Sequence, residues 1–134
     1  MANKTDREIV QHIEQEFASL ISSLKDLARS VPPENVLRSA AIVEQMCGGL
    51  TANLWDDPFE WTLPETLSNV DRVIEYLSEV DLARQRAFNS IDDVALTKYV
   101  SVPSGESRLL IGVLLETLVR ASEFRGRARV QSNR

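Results

Sequence analysis

The sequence predicts an all-α protein, an antiparallel four-helix bundle, and three observations lead to it. Apolar residues recur every three or four positions along four long segments. The glycines and prolines, five of each, lie mainly between those segments. No segment of any length alternates apolar and polar residues as a strand would. The 134 residues, 43% of them hydrophobic, should form a single domain over residues 1–134 whose core needs no disulfide.

The first helix is predicted from about Asp6 to Ser30. Its apolar stripe consists of Ile9, Ile13, Phe17, Leu20, Leu24, Leu27 and Val31. The pair Pro32-Pro33 should end this helix and begin the next, because proline suits a first helical turn but not a helix interior.

The second helix is predicted from about Pro33 to Asn53. Its stripe consists of Val36, Ala40, Val43, Cys47, Leu50 and Leu54. Gly48-Gly49 lies inside it, although each glycine costs about 1 kcal/mol of helix stability relative to alanine. Either the helix kinks there, or another part of the backbone or a ligand comes close. Close packing is the interpretation that we favour.

The third helix is predicted from about Pro64 to Ser90, after a loop that carries both tryptophans. Residues 62–65 form a capping-box pattern at its start. Its stripe consists of Leu67, Val70, Ile74, Leu77, Val80 and Phe88. A short extra turn is expected over residues 90–93, and residues 97–102 are ambiguous and could be briefly extended.

The last helix contains the most apolar long segment, Arg108 to Arg127. Ser104, with Glu106 close behind, is predicted to cap it. Its stripe consists of Leu110, Ile111, Leu114, Leu115, Leu118 and Ala121. Residues from Arg127 to Arg134 are expected to be a frayed tail whose arginines complement the helix dipole.

Charge and cysteine usage restrict the partners and the location. The net charge of −5 and the pI of about 4.9 give a field that repels nucleic acid, so no nucleic-acid partner is expected. The single cysteine, Cys47, excludes an intramolecular disulfide and favours a reducing compartment. The N-terminus lacks a signal-type apolar run, and no segment reaches about eighteen consecutive apolar residues. We therefore expect a cytoplasmic protein with no membrane partner.

Few residue patterns point to chemistry. His12 is the only histidine, so neither a di-iron site nor a Ser-His-Asp triad is expected. Glu116, Arg120 and Phe124 are four positions apart and share one face of the last helix. Glu116 and Arg120 could be an ordinary surface pair, or part of a site that Cys47 faces from the second helix. Cys47 could equally be a small buried hydrophobic residue.

Three segments carry a family resemblance in chain order: SAAIVEQMC at residues 39–47, WTLPETL at residues 61–67 and FRGR at residues 124–127. With them the chain resembles the DinB-like superfamily of bacterial four-helix proteins. The resemblance implies a homodimer and a divalent-metal site of three histidines, one on the second helix and two on the last. In this chain those positions carry Cys47, Arg120 and Phe124, with Glu116 one turn earlier. Arginine and phenylalanine cannot coordinate zinc or nickel, so the resemblance predicts a degenerate site with no metal cofactor.

The sequence therefore predicts a non-catalytic binding or interaction protein, with a possible small-molecule ligand. A partly buried Glu116–Arg120 pair would replace the metal, and Phe124 would fill the vacated space. The candidate cleft consists of Cys47, Trp55, Trp61, Glu116, Arg120 and Phe124. One alternative is a transferase or hydrolase of the same superfamily that uses a divalent metal, or Cys47 with Glu116 or Glu44. Another is a bundle that binds an apolar molecule at a mouth lined by Trp55, Phe59 and Trp61.

Overall fold

The computed structural model describes residues 2–55 and 69–132, and these form four helices and two short strands. The elements are α1 (Lys4–Leu27), α2 (Pro33–Ala52), α3 (Val70–Ser90), β1 (Tyr99–Ser101), β2 (Ser107–Leu109) and α4 (Leu110–Ser132). The predicted all-α four-helix bundle is confirmed. The capping box predicted at residues 62–65 lies outside the described residues. Within the described ranges, no helix combines the length and apolar character that crossing a lipid bilayer requires.

Each helix packs against two others. α1 and α2 both contact α3 and α4 but barely touch each other, so they lie across the bundle. Two ion pairs show that α1 and α3 are antiparallel: Arg7–Asp93 and Glu14–Arg84. Two hydrogen bonds show the same for α2 and α4: Asn35–Gln131 and Ser39–Ala121. Residues 28–32 are too few to run back along α1, so α2 is antiparallel to α1 and runs in the same direction as α3.

The core consists of the apolar stripes of all four helices. Its largest fully buried side chains are Phe17, Leu20, Ile21, Leu24, Leu37, Met46, Leu77, Leu110 and Leu114. The Phe17 ring of α1 packs against the Phe88 ring of α3, with centroids 5.7 Å apart and the planes tilted by 51°. This separation is in the favourable range for tilted aromatic pairs.

Four residues that were predicted on the apolar stripes are exposed instead. They are Ile9, Leu54, Val70 and Leu115. Leu54 follows the end of α2 and Val70 is the first residue of α3, so neighbouring helices do not cover them. Ile9 and Leu115 lie at the edges of their stripes, beside residues that the bundle does bury. The stripes read from the sequence are therefore wider than the surfaces that the bundle covers.

The chain folds back onto α2 at its paired glycines. Asn53 adopts a left-handed conformation with φ of 55°, and the Leu54 N–H donates to the Gly48 carbonyl at 3.1 Å. A Cβ atom on Gly48 would lie 2.6 Å from the Leu54 carbonyl oxygen. A Cβ atom on Gly49 would overlap the indole ring of Trp55. The interpretation of Gly48-Gly49 as a site of close packing is therefore confirmed.

A β-hairpin separates α3 from α4. β1 lies within residues 97–102, where a short extended segment was considered, and it pairs with β2 in antiparallel register, Tyr99 opposite Leu109. The connecting turn contains Gly105 at φ of 83°, a conformation that glycine adopts without strain. The expected extra turn at residues 90–93 is present: residues 91–93 form a turn after α3, and the Val94 N–H donates to the Ile91 carbonyl at 3.1 Å.

α4 does not begin with the predicted serine cap. Ser104 lies in the hairpin turn, and the helix starts only at Leu110. The Leu110 N–H donates to the Lys98 carbonyl at 2.8 Å, and the Ile111 N–H donates to the Leu96 carbonyl at 3.0 Å. Backbone carbonyls from the segment before the hairpin thus satisfy first-turn amides that a capping side chain would otherwise bind.

The end of α4 is packed rather than frayed. The helix continues to Ser132, and Ala128 is fully buried. The Gln131 side-chain oxygen accepts a hydrogen bond from the Asn35 side chain of α2 at 3.3 Å. The fraying predicted from Arg127 onward is therefore corrected as far as Ser132, because these contacts hold the last turns against α2.

Candidate functional site

An open cleft of about 410 Å³ lies between α2, α4 and the β1–β2 hairpin. Its apolar lining consists of Ile42, Met46, Trp55, Val102, Pro103 and Val113. Its polar lining includes Gln45, Glu106, Arg108, Glu116, Thr117 and Arg120. A concave surface that joins an apolar lining to a few polar groups is the usual form of a small-molecule site. We refer to it as the α2–α4 cleft.

Helical spacing explains why these side chains share one cleft. On each helix the lining residues are three or four positions apart and so lie on one face: residues 42, 45 and 46 on α2, and residues 113, 116, 117 and 120 on α4. The antiparallel packing of α2 and α4 brings the two faces together. The hairpin turn closes one side of the cleft with residues 102–108.

Trp55 is held at the cleft by its neighbours. The Gln45 side-chain amide donates to the Trp55 carbonyl at 2.8 Å, and the Trp55 indole N–H donates to the Asn53 side-chain oxygen at 3.1 Å. The indole ring lies against Gly49, where a larger residue would not fit. The structure thus places Trp55 in the cleft, as the sequence predicted. Trp61 and Phe59, which were also predicted there, lie outside the described residues.

The charged side chains of the cleft pair differently from the prediction. Glu116 accepts a hydrogen bond from Arg108 of β2, and the two form an ion pair. Both side chains are substantially exposed, at 38% for Arg108 and 47% for Glu116. The predicted partly buried Glu116–Arg120 pair is therefore wrong, because the hairpin supplies a different cation. Arg120 lines the same cleft and is exposed.

Phe124 packs between two arginines instead of filling a vacated metal site. The Arg127 guanidinium lies 4.7 Å from the centre of the Phe124 ring, and that of Arg38 lies 6.0 Å from it. Both distances suit a cation–π contact. Phe124 is half-buried and is not among the described residues that line the α2–α4 cleft.

Cys47 is buried, and its environment disfavours the reactive thiolate form. Its exposed fraction is 2%, and it is not among the described lining residues of the cleft. Burial raises the pKa of the Cys47 thiol to about 12; the negative charge of Glu44 adds to the shift and the positive charge of Arg84 opposes it. A thiol with such a pKa holds its proton near neutral pH, and the thiolate is the nucleophilic form. The reading of Cys47 as a small buried hydrophobic residue fits this environment.

A polar cluster that the sequence did not reveal lies beside Cys47. The Tyr76 hydroxyl of α3 donates a hydrogen bond to the Glu44 carboxylate of α2. Burial raises the pKa of Glu44; the hydrogen bond from Tyr76 works against this rise, and the negative charge of Glu79 adds to it. Glu44 was predicted only as an alternative site group, and nothing in the spacing identified Tyr76 as its partner.

Arg84, whose charge also acts on Cys47, forms a separate set of ion pairs. Its guanidinium contacts Glu14 of α1 and Asp81 of α3, both at 2.8 Å, and its side chain is only 11% exposed. The pair Asp81–Arg84 has the i, i+3 spacing of helical ion pairs, which could have identified it from the sequence. The contact with Glu14 depends on how α1 and α3 pack, so no local pattern indicates it.

Because burial raises the pKa of Glu44, we expect its replacement by glutamine to stabilise the protein in a pH-dependent way. Because the folded protein binds a proton at Glu44 more readily than the unfolded chain does, Glu44 loses stabilising effect as the pH rises above its usual pKa of 4.5. Glu44→Gln should therefore raise the free energy of unfolding at about pH 7, and this gain should shrink as the pH falls towards 4.5, the usual pKa of the carboxyl. Urea unfolding of both proteins across this pH range measures the difference.

The matched control for this prediction is Glu75→Gln, which removes the same charge from an exposed position of α3. It should change the free energy of unfolding by no more than about 0.5 kcal/mol. In the Glu44→Gln protein, the amide oxygen of the new glutamine can still accept a hydrogen bond from Tyr76, so that hydrogen bond is preserved. A Glu44→Gln protein that is less stable than the wild type at neutral pH would contradict the prediction.

The positions that the resemblance assigns to metal ligands do not converge. Cys47 is interior, Arg120 lines the cleft, and Phe124 lies between two arginines. In residues 2–55 and 69–132, no group of three or more histidine, cysteine, aspartate or glutamate side chains is close enough to hold a metal ion. The residues present at the three positions therefore do not fit a zinc or nickel site.

No protein-family model matches the chain, and no curated protein or solved structure matches it either. The resemblance to the DinB-like superfamily accordingly stays a prediction from the residues quoted above.

Proposed function

We propose that this chain is a non-catalytic binding protein and that the α2–α4 cleft is its small-molecule site. The observation that carries the proposal is the cleft itself, which joins an apolar lining to a charged rim. Its volume of about 410 Å³ is within the usual range for small-molecule sites, and its lining comes mainly from two packed helices. Rigid elements hold such a site in shape without the ligand, so less of the binding energy goes into ordering it.

The apolar lining supplies the driving force for binding. Met46 and Val113 are nearly fully buried, so the cleft ends on the protein core. The Trp55 ring adds a large rigid surface, held by the hydrogen bond to its carbonyl and by its contact with Gly49. An apolar or aromatic group that enters would exchange water for these side chains, at about 25 cal/mol for each Å² of apolar surface buried.

The chemistry of the expected catalytic positions supports binding over catalysis. Arg120 and Phe124 carry no metal-donor atoms, and the thiol of Cys47 is buried and protonated. The alternative of a metal- or thiol-dependent transferase therefore draws no support from these three residues.

The other predicted properties remain part of this proposal. We expect a homodimer in a bacterial cytoplasm. We expect self-association through α4, where Leu115 and Val119, one turn apart, are 46% and 67% exposed. This surface is separate from the α2–α4 cleft, since neither residue lines it.

Binding of the neutral probe 1-naphthylacetamide tests the proposal. At roughly −0.3 kcal/mol per non-hydrogen atom, a ligand of this size should bind with a dissociation constant on the order of 1 mM. Two-dimensional NMR of nitrogen-labelled protein should show saturable shifts at the Trp55 indole N–H and at amides of residues 42–46 and 113–120. Shifts that do not saturate, or that spread evenly over the surface, would overturn the proposal.

A pair of variants separates binding in the cleft from binding elsewhere. Ile42→Trp places a bulky ring in the cleft and should weaken the probe several-fold. Ile9→Trp adds the same ring at an exposed position of α1 and should leave binding unchanged. Equal weakening by both variants would count against the cleft as the site.

A further inference from the structure

We propose that the ligand of the α2–α4 cleft carries a carboxylate on an apolar body and that Arg120 binds this carboxylate. The inference rests on the proposed function, since it names the chemical class that the same cleft would take. It follows from the ion pair that the cleft already contains, and from the position of Arg120, which lines the cleft and has no partner among the described residues.

Among residues 2–55 and 69–132, the charged side chains that line the cleft are Glu106, Arg108, Glu116 and Arg120. Arg108 and Glu116 neutralise each other in their ion pair. Arg120, by contrast, makes no hydrogen bond or ion pair with any residue in the ranges 2–55 and 69–132. Its guanidinium thus keeps all its donors for a ligand, and their planar fork matches the two oxygens of a carboxylate.

The position of Arg120 places this charge beside the apolar lining. Arg120 lies one turn beyond Glu116 and about two turns beyond Val113 on the cleft-facing side of α4. Val113 and Met46 belong to the apolar lining, so a ligand that reaches Arg120 can bury an apolar body against them. The expected ligand therefore has one anionic end and one apolar end.

The net charge of the protein does not account for a preference for anions, so that preference must come from Arg120 itself. The chain carries a net charge of −5, so its general field does not attract an anion. Glu106 of the hairpin turn also lines the cleft, and its carboxylate makes no hydrogen bond or ion pair within the described part of the chain, so it would favour a cationic ligand instead. Binding of an anionic ligand should therefore depend on Arg120, whereas binding of a cationic ligand should depend on Glu106.

Three probes with the same ring decide between these charges: 1-naphthylacetate, 1-naphthylacetamide and 1-naphthylmethylamine. NMR titrations of the wild type should rank the acetate about tenfold tighter than the amide, the amount expected for one hydrogen-bonded charge near the surface. The amine should bind no better than the amide. Arg120→Gln should abolish the preference for the acetate and leave affinity for the amide unchanged.

The control variant is Arg86→Gln, which removes the same charge from an exposed position of α3 outside the cleft and should keep the tenfold preference. Saturable cleft binding of acetate and amide with equal affinity would overturn this inference and leave the proposed function standing. Tighter binding of the amine would also overturn it. Failure of all three probes to bind would overturn the proposed function and the inference with it.

Discussion

Phe17→Ala should lower the free energy of unfolding by about 3–5 kcal/mol, the largest loss that we expect from one core substitution. Phe17 has no exposed surface and lies where α1 meets α3, against the ring of Phe88. Alanine would leave a cavity and remove the tilted aromatic contact, which itself contributes about 0.5–1.5 kcal/mol. Small domains are stable by only about 5–15 kcal/mol, so this loss is a large part of the total.

Urea unfolding followed by far-UV circular dichroism measures this loss. Leu82→Ala is the control, because Leu82 is an apolar residue that is 51% exposed on α3 and lies outside the α4 surface proposed for self-association, and its truncation should cost no more than about 0.5 kcal/mol. Where Phe17→Ala is too unstable to purify, Phe17→Leu keeps most of the volume and should lose less. A Phe17→Ala protein as stable as the Leu82→Ala protein would show that the α1–α3 contact is misplaced.

The helices were predictable because their signals are local. Pro32-Pro33 separates α1 from α2 because proline is tolerated in the first turn of a helix but not in its interior, and α2 begins at Pro33 as predicted. The same is true of Gly48-Gly49, whose cost in a helix implied a close approach that the chain after α2 provides. Periodicity likewise identified the buried faces, although it could not say how far each face extends around its helix.

The hairpin was missed because the start of α4 is decided by distant backbone groups. Ser104 followed by Glu106 reads as a helix cap, and only the carbonyls of Leu96 and Lys98 show why the helix begins at Leu110. Residues 107–109 carry no alternation long enough to indicate a strand. A three-residue strand depends on its partner, and the sequence pattern does not contain that partner.

Part of the site was predictable because residues that share a helix face can be identified from their spacing. Trp55, Glu116 and Arg120 were expected together and do line one cleft. The partner of Glu116 was not predicted, because Arg120 has the favourable i, i+4 spacing, whereas Arg108 reaches Glu116 only through the hairpin. The placement of Cys47 in the interior depends on the rotation of α2 within the bundle, which no local rule specifies.

Gly48→Ala should lower the free energy of unfolding by roughly 2 kcal/mol, although alanine is the better helix former. The added Cβ would lie 2.6 Å from the Leu54 carbonyl oxygen, closer than such atoms approach in folded proteins. That oxygen cannot simply rotate away, because the Leu54 N–H and the Asn53 N–H donate to the carbonyls of Gly48 and Gly49. Relief of the overlap must therefore break these bonds or move the chain that carries Trp55.

Gly126→Ala is the matched control, since a Cβ on Gly126 meets no atom within 4 Å and the residue is in the interior of α4. It should gain up to about 1 kcal/mol from helix propensity alone. Thermal and urea unfolding of the two variants should therefore shift in opposite directions. Because Trp55 lines the α2–α4 cleft, Gly48→Ala should also move the Trp55 indole resonance and weaken binding of 1-naphthylacetamide, whereas Gly126→Ala should do neither. Stabilisation by both substitutions would show that the chain after α2 does not fold back onto the paired glycines.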